Sequence, residues 1–204
     1  MHKLRNITYI ILTGFFVFTL SGCGYNTLVE LDEKVNQAWA QVENQYQRRA
    51  DLIPNLVKTV QGYADFEKGV LVEVTELRSQ VGQMKLSADD LSDEEKFKQF
   101  QTAQDKLSGA LSRLLVVAEN YPQLKANENF LQLQSQLEGT ENRISVERKK
   151  FNEAVQEYNT TIRRFPILIT AKIMGFKEKQ YFQSAPGTDK VPDVNFDFDK
   201  KKDK

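Results

Sequence analysis

Apolar residues return every three or four positions along most of this chain, a spacing that places them on one face of a helix and is foreign to a strand, where the step is two. The first such stripe reads Leu28, Leu31, Val35, Ala38, Val42, Gln45, Arg49, Leu52, Leu56, Val60, Tyr63, Glu67, Val70, Val74, Leu77 and Val81. Three consecutive positions four residues apart, Leu52, Leu56 and Val60, form a stutter that slightly relaxes left-handed supercoiling. Pro54 lies inside the stripe and removes one ladder hydrogen bond. Because the stripe runs on past it, the pattern predicts one long helix over 28–84, kinked at Pro54. At 1.5 Å per residue that helix is about 85 Å long.

The rest of the chain repeats the pattern. Ser92-Asp93-Glu94-Glu95 has the spacing of a capping box, with Ser92 as N-cap and Glu95 reaching back. A second helix follows, carrying Phe97, Phe100, Gln104, Leu107, Leu111, Leu114, Ala118 and Tyr121 on one side and stopping at Tyr121-Pro122. A third is expected from about Glu128 to Arg164, with Phe130, Leu133, Leu137, Thr140, Ile144, Glu147, Phe151, Val155, Tyr158, Ile162 and Phe165 along its stripe. Pro166 ends it, and Ile167–Met174, closed by Gly175, reads as a short capping helix. The composition from Gln183 onward turns to Pro, Gly, Asp and Lys and predicts a disordered polar tail over 183–204. The fold class expected is all-α: an elongated, antiparallel up-down bundle of three long helices plus a short C-terminal one, with coiled-coil-like packing.

The N-terminus carries a different signal. His2, Lys3 and Arg5 precede an apolar run of 14 residues, Ile7 to Leu20, and then Ser21-Gly22-Cys23. A basic stretch, a brief apolar run and small residues before a cut site make a secretory leader. The run falls short of the roughly 20 apolar residues needed to cross a ~30 Å hydrocarbon core. Leu20-Ser21-Gly22-Cys23 resembles the lipobox of bacterial lipoproteins, which implies that 1–22 is a signal peptide and that Cys23 is the lipid attachment site, a palmitate acceptor. Cys23 is the only cysteine, so it has no internal disulfide partner. Two or more acyl chains anchor stably, each buried CH₂ contributing about 0.8 kcal/mol. Glycine rather than aspartate at position 24 resembles the sorting signal for an outer membrane facing the periplasm, where the cell has two membranes. The competing reading is an uncleaved single-pass anchor in the inner membrane.

Cleavage would leave 204 − 22 = 182 residues and, without Lys3 and Arg5, 28 − 2 = 26 basic against 28 acidic side chains, a formal charge of −2. No overall basic excess then attracts nucleic acid or anionic lipid. The same cut removes His2, the only histidine. Zinc sites of His and Cys and mechanisms with an imidazole base fall away with it, so neither a cofactor nor an enzyme is expected. The partners expected are a membrane, through the lipid on Cys23, and another envelope protein.

Two segments carry a family resemblance. Glu43-Asn44-Gln45-Tyr46-Gln47-Arg48-Arg49-Ala50-Asp51-Leu52-Ile53-Pro54-Asn55-Leu56-Val57 and Leu137-Glu138-Gly139-Thr140-Glu141-Asn142-Arg143-Ile144 resemble the signatures of the LemA family. Tyr25-Asn26, Tyr121-Pro122, Phe165-Pro166 and Gly175-Phe176 fit the same pattern in order, so the resemblance spans about 25–182 within an expected bundle domain of 23–182. It implies a membrane-associated helical bundle and no particular reaction. The chain departs from the pattern at Phe66, where many members carry histidine.

Polar residues that interrupt the stripes are the candidate site. Gln45, Arg48, Arg49, Asp51 and Asn55 surround the first helix near its proline; Glu138, Glu141, Asn142, Arg143, Glu147 and Arg148 do the same on the third. Three readings are open. The residues form an interhelical network in which Arg49 forks onto a glutamate, with Asn55 or Asn142 capping remaining groups. Or the arginines read the carboxylate of a partner's helix or peptide. Or paired carboxylates such as Glu138 and Glu141 do acid/base work in a small-ligand site. Trp39, the single tryptophan, is expected to be partly buried at a helix seam, with an exposed partner anchor as the alternative.

Overall fold

The computed structural model describes residues 2–63 and 67–183, with side chains from Gly24 onward. Six α-helices follow in order: α1 (His2–Gln61), α2 (Lys68–Gln83), α3 (Glu94–Ala118), α4 (Pro122–Lys125), α5 (Glu128–Ile162) and α6 (Ile167–Met174), with a 3-10 turn at Asp89–Ser92 before α3. No strand occurs among the described residues.

The expected single helix over 28–84 is corrected. The chain leaves the helix after Gln61 and re-enters it at Lys68. The segment of α1 from Leu28 therefore holds 61 − 28 + 1 = 34 residues, about 51 Å rather than about 85 Å. The stripe could not reveal this, because two helices packed on one core show the same apolar period on either side of a turn. Nor is Pro54 where the chain breaks. Proline at 54 leaves the carbonyl of Ala50, four residues earlier, without its helical donor. Arg78 on α2 fills the gap, its Nε donating to Ala50 O at 2.8 Å, and α1 passes through Pro54 intact.

Cross-contacts fix the directions. Lys34 pairs with Glu157, Tyr46 meets Arg148 and Arg49 meets Glu141, so α1 and α5 run antiparallel. Trp39 touches Phe97 and Phe100 while Arg49 reaches Gln104 and Ser108, so α3 runs along with α1. α2 returns between them, with Arg78 opposite Ala50 and Glu73 paired to Arg113.

The helix ends follow local chemistry. α3 is capped by Asp93, not Ser92: its carboxylate accepts from the backbone N–H of Glu95 and of Lys96, both at 3.1 Å. Ser92 instead closes the 3-10 turn, and the capping-box reading is corrected. Two adjacent residues of good capping type leave the choice to the preceding turn. Pro122 occupies the first turn of α4, where its missing N–H costs nothing. Asn127 caps α5 by accepting from Phe130 N at 3.0 Å. Gly175 ends α6 at φ +78°, and Phe176 N–H returns to Ala171 O, the closure that favours glycine.

The core falls into two clusters. One joins Leu28, Val35, Trp39, Val42 and Tyr46 to Phe97, Phe100, Phe151, Tyr158 and Phe182. The other joins Ile53, Leu56 and Val60 to Val74, Leu107, Leu114, Leu124 and Phe130. α2 covers the second cluster only. Beside the first, its place is taken by Leu86, Leu91 and the strap of residues 176–183, which runs without helix or strand along the bundle. Trp39 is 4 % exposed, its ring 5.4–6.1 Å from those of Phe97, Phe100, Phe151 and Phe182. Burial of such rings contributes about 2 kcal/mol each.

Candidate functional site

Between the two clusters lies a polar waist, with Arg49 at its centre. Arg49 belongs to the core stripe of α1 and is 0 % exposed. A buried guanidinium is tolerated only when its donors are matched, and α3 and α5 supply the acceptors. Its Nη1 donates to Ser108 Oγ at 2.5 Å and to Glu141 Oε1 at 2.8 Å. Its Nη2 donates to the side chain of Gln104 and to Gln104 O at 3.3 Å. Ser108 Oγ donates in turn to Glu141 Oε2 at 3.1 Å. Arg49 Nε has no partner among the described residues.

One step toward the first cluster, Tyr46 lies against two guanidiniums. Arg49 sits 5.2 Å and Arg148 5.5 Å from its ring centroid. Arg148 Nε donates to Tyr46 Oη at 2.6 Å, and Arg148 Nη2 to Asp105 Oδ1 at 2.8 Å. Burial pushes the Tyr46 hydroxyl up to about 12, against the pull of the nearby arginines. Arg148 also covers the Phe182 ring at 4.7 Å, so the waist is linked to the strap.

The strap is held through its backbone. Asn159 Nδ2 donates to Lys179 O at 2.8 Å while Asn159 Oδ1 accepts from Lys179 N at 2.9 Å. Asn152 does the same for Phe182, at 2.9 Å in both directions. Gln101 on α3 does it for Gln183, at 2.7 and 3.1 Å. Each amide presents one donor and one acceptor, as a neighbouring strand would. Lys179, 6 % exposed, adds an ion pair to Asp32 at 2.8 Å. Gln183 was expected to open a disordered tail; it is bonded on both backbone groups, and 184–204 lies outside the described residues.

Of the residues singled out from sequence, the fold brings Arg49 and Glu141 together and sets Arg148 against the same Tyr46 ring. Arg48, Asn142 and Arg143 are exposed. So are Asp51, which accepts from Gln47 on its own helix, and Glu138, which accepts from Gln134. Asn55 is exposed as well and caps nothing at the waist; nor does Asn142. The pairing of Glu138 with Glu141 is corrected too, since Glu141 turns to Arg49 while Glu138 bonds along α5. The side chain of Cys23 and residue Phe66 lie outside what is described. Sequence reasoning missed Ser108, Asp105 and the strap amides. Gln104, a polar residue on the apolar stripe of α3, was the available signal for the waist. Asn152 and Asn159, one heptad apart on α5, were the signal for the strap.

Beside the waist, a trough of about 510 Å³ opens between α3 and α5, lined by Ser108, Glu141, Ser145, Arg148, Lys149 and the end of the strap. It carries both charge signs and adjoins the strap at Tyr181, Phe182 and Gln183. Among the described residues no group of three or more His, Cys, Asp and Glu could hold a metal ion, and no helix is long and apolar enough to cross a membrane.

The sequence pattern of the LemA family matches residues 38–196. The chain is similar to magnetosome protein MamQ 2 of Paramagnetospirillum magneticum, 28 % identical over 209 residues, covering 93 % of this chain and 75 % of the relative. It is 29 % identical over 185 residues to magnetosome protein MamQ of Magnetospirillum gryphiswaldense, covering 81 % of this chain and 66 % of the relative. It is 26 % identical over 186 residues to protein LemA of Metamycoplasma hominis, covering 91 % of this chain and 80 % of the relative.

Proposed function

The chain belongs to the LemA family, and from that premise we propose that it is a membrane-anchored, non-catalytic interaction protein of the bacterial cell envelope. The observation that carries this reading is the state of the waist. Arg49 is spent on Gln104, Ser108 and Glu141 inside the bundle, which is the geometry of interhelical glue. A catalytic carboxylate needs a free face and a matched partner; Glu141 has given both oxygens to Arg49 and Ser108. The surface left for a partner is the trough, with Lys149, Glu153 and Gln156 along its α5 side.

In this reading residues 1–22 are a leader, Cys23 carries the lipid, and the bundle stands off the outer membrane of a two-membrane cell. Photocrosslinkers placed at Ser145, in the trough, and at Val116, exposed on the far end of α3, separate the alternatives in intact cells. Recurrent capture of one envelope protein from Ser145 and not from Val116 supports the trough. The same mixture of abundant proteins from both positions overturns it. For the anchor, palmitate labelling should be lost in Cys23→Ala; equal labelling of both chains sinks the lipid assignment.

A further inference from the structure

Exposed large apolar side chains are spread singly over most of the bundle, but four gather at one end. Phe165 is 81 %, Ile169 53 %, Ile173 76 % and Met174 59 % exposed. Ile169 and Ile173 are one helical turn apart on α6, and Phe165 stands exposed in the turn just before it. The opposite side of α6 is occupied: Ala171 is buried and Ile167 packs on the first core cluster. The outward stripe has no partner among the described residues, and isolated exposed apolar residues need no explanation where a contiguous patch does.

Two observations say what covers it. First, charge: Arg163, Arg164, Lys172 and Lys177 stand exposed around the stripe, against Glu178, which pairs with Arg163 at 3.8 Å. The near-neutral balance of the whole chain conceals this local excess of cations. Second, position: α6 lies against the start of the bundle. A Cβ on Gly24 would meet Ile167 at 3.4 Å and Thr170 at 3.7 Å, and Tyr25 packs edge-on to Phe176. Gly24 directly follows Cys23. The first acidic residue of α1 after it is Glu30, about 9 Å further along the helix.

We infer that α6 is an interfacial helix: with Phe165, it inserts its apolar stripe into an anionic lipid surface while the four cations meet the headgroups. An apolar stripe rimmed by Lys and Arg is the chemistry of a helix lying in the interface plane, its apolar face about 5–10 Å deep. The inference rests on the reading that the segment ending at Cys23 is held at the membrane. It adds that the bundle is attached at two points, so that its tilt is set as well as its distance.

The test uses the full chain, purified from membranes and reconstituted in phosphatidylcholine vesicles with and without phosphatidylglycerol. A spin label on Ile173→Cys is compared with one on Val116→Cys, both exposed positions. With phosphatidylglycerol, the Ile173 label should show an oxygen-to-nickel accessibility ratio roughly tenfold above that at Val116, as for a site below the headgroups. Adding Ile169→Glu, or using phosphatidylcholine alone, should return it toward the Val116 value. A ratio equal to that at Val116 in phosphatidylglycerol vesicles overturns the proposal. So does low access to both oxygen and nickel, which would mean that a second copy or another protein covers the stripe. Flotation of the Ile169→Glu chain with phosphatidylcholine vesicles, where α6 has no anionic surface to enter, and palmitate labelling at Cys23 report on the anchor alone, so the two readings fail separately.

Discussion

Arg49 and Glu141 are the two ends of one ion pair, but they do not weigh equally. Arg49 is 0 % exposed and the Glu141 side chain 36 %, so the attraction is partly screened by water on the glutamate side. Most of what Arg49 contributes is the matching of Gln104 and Ser108 and the filling of the waist. Arg49→Ala should therefore lower unfolding free energy by about 3 kcal/mol, read from urea denaturation. Glu141→Gln should lower it by about 1 kcal/mol, since the amide oxygen still accepts. Arg78 makes a sharper case. Arg78→Ala leaves the Ala50 carbonyl without a donor and should cost about 1–2 kcal/mol. In a Pro54→Ala background the restored N–H of residue 54 supplies that carbonyl, so the two changes should be less than additive in a double-mutant cycle. Tyr46 adds a pH dependence. Its folded value of about 12 lies above the ordinary value of 10, so its contribution is complete below pH 10. Above that the unfolded chain loses the proton first, and stability falls by up to about 2–3 kcal/mol as pH rises toward 12. Urea midpoints at pH 9 and 11 should show this, with a flatter response in Tyr46→Phe.

Among the elements, the strap has the least regular backbone and the most directional attachment. Residues 176–183 gain no ladder of their own, yet Asn159, Asn152 and Gln101 each bond one residue of it through both backbone groups. Losing one such amide removes hydrogen bonds worth about 1 kcal/mol each. Asn152→Ala should speed amide exchange of Phe182 by roughly tenfold, and Asn159→Ala that of Lys179, while amides in the middle of α5 stay protected. If exchange rises uniformly along the chain, the amides are holding the whole bundle rather than the strap. The short helix α6 differs in that its outer stripe is matched by nothing among the described residues, which is why the proposal of a lipid surface belongs to it.

At the scale of the whole molecule, two apolar clusters are stacked along one bundle and joined at a charged layer. The first cluster is closed by the strap and by α6, beside the residue that follows Cys23; the second is closed by α2 and α4. A partner gripping the trough would touch the waist at Ser108, Glu141 and Arg148 and the first cluster through Ile144 and Phe182. Shortening the bundle by whole heptads, rather than altering its surface, is the change expected to matter if standing off the membrane were all the protein did.

How much of this was legible depended on range. Helical identity, the third helix to within two residues of its end and the Gly175 stop rest on local periods and caps, and local chemistry determines them. Arg49 on an apolar stripe announced a buried charge, because a guanidinium there has to find acceptors. Which acceptors, Gln104 and Ser108 on α3 and Glu141 on α5, depends on register between helices far apart in sequence, and no local pattern encodes it. The turn after Gln61 was hidden for the same reason: two helices sharing one core keep one period. The strap was hidden because it has no period at all; its place comes from amides on other elements. The family was readable from two contiguous motifs, whereas the trough proposed for a partner and the stripe proposed for a lipid surface exist only once α3, α5 and α6 have been placed side by side.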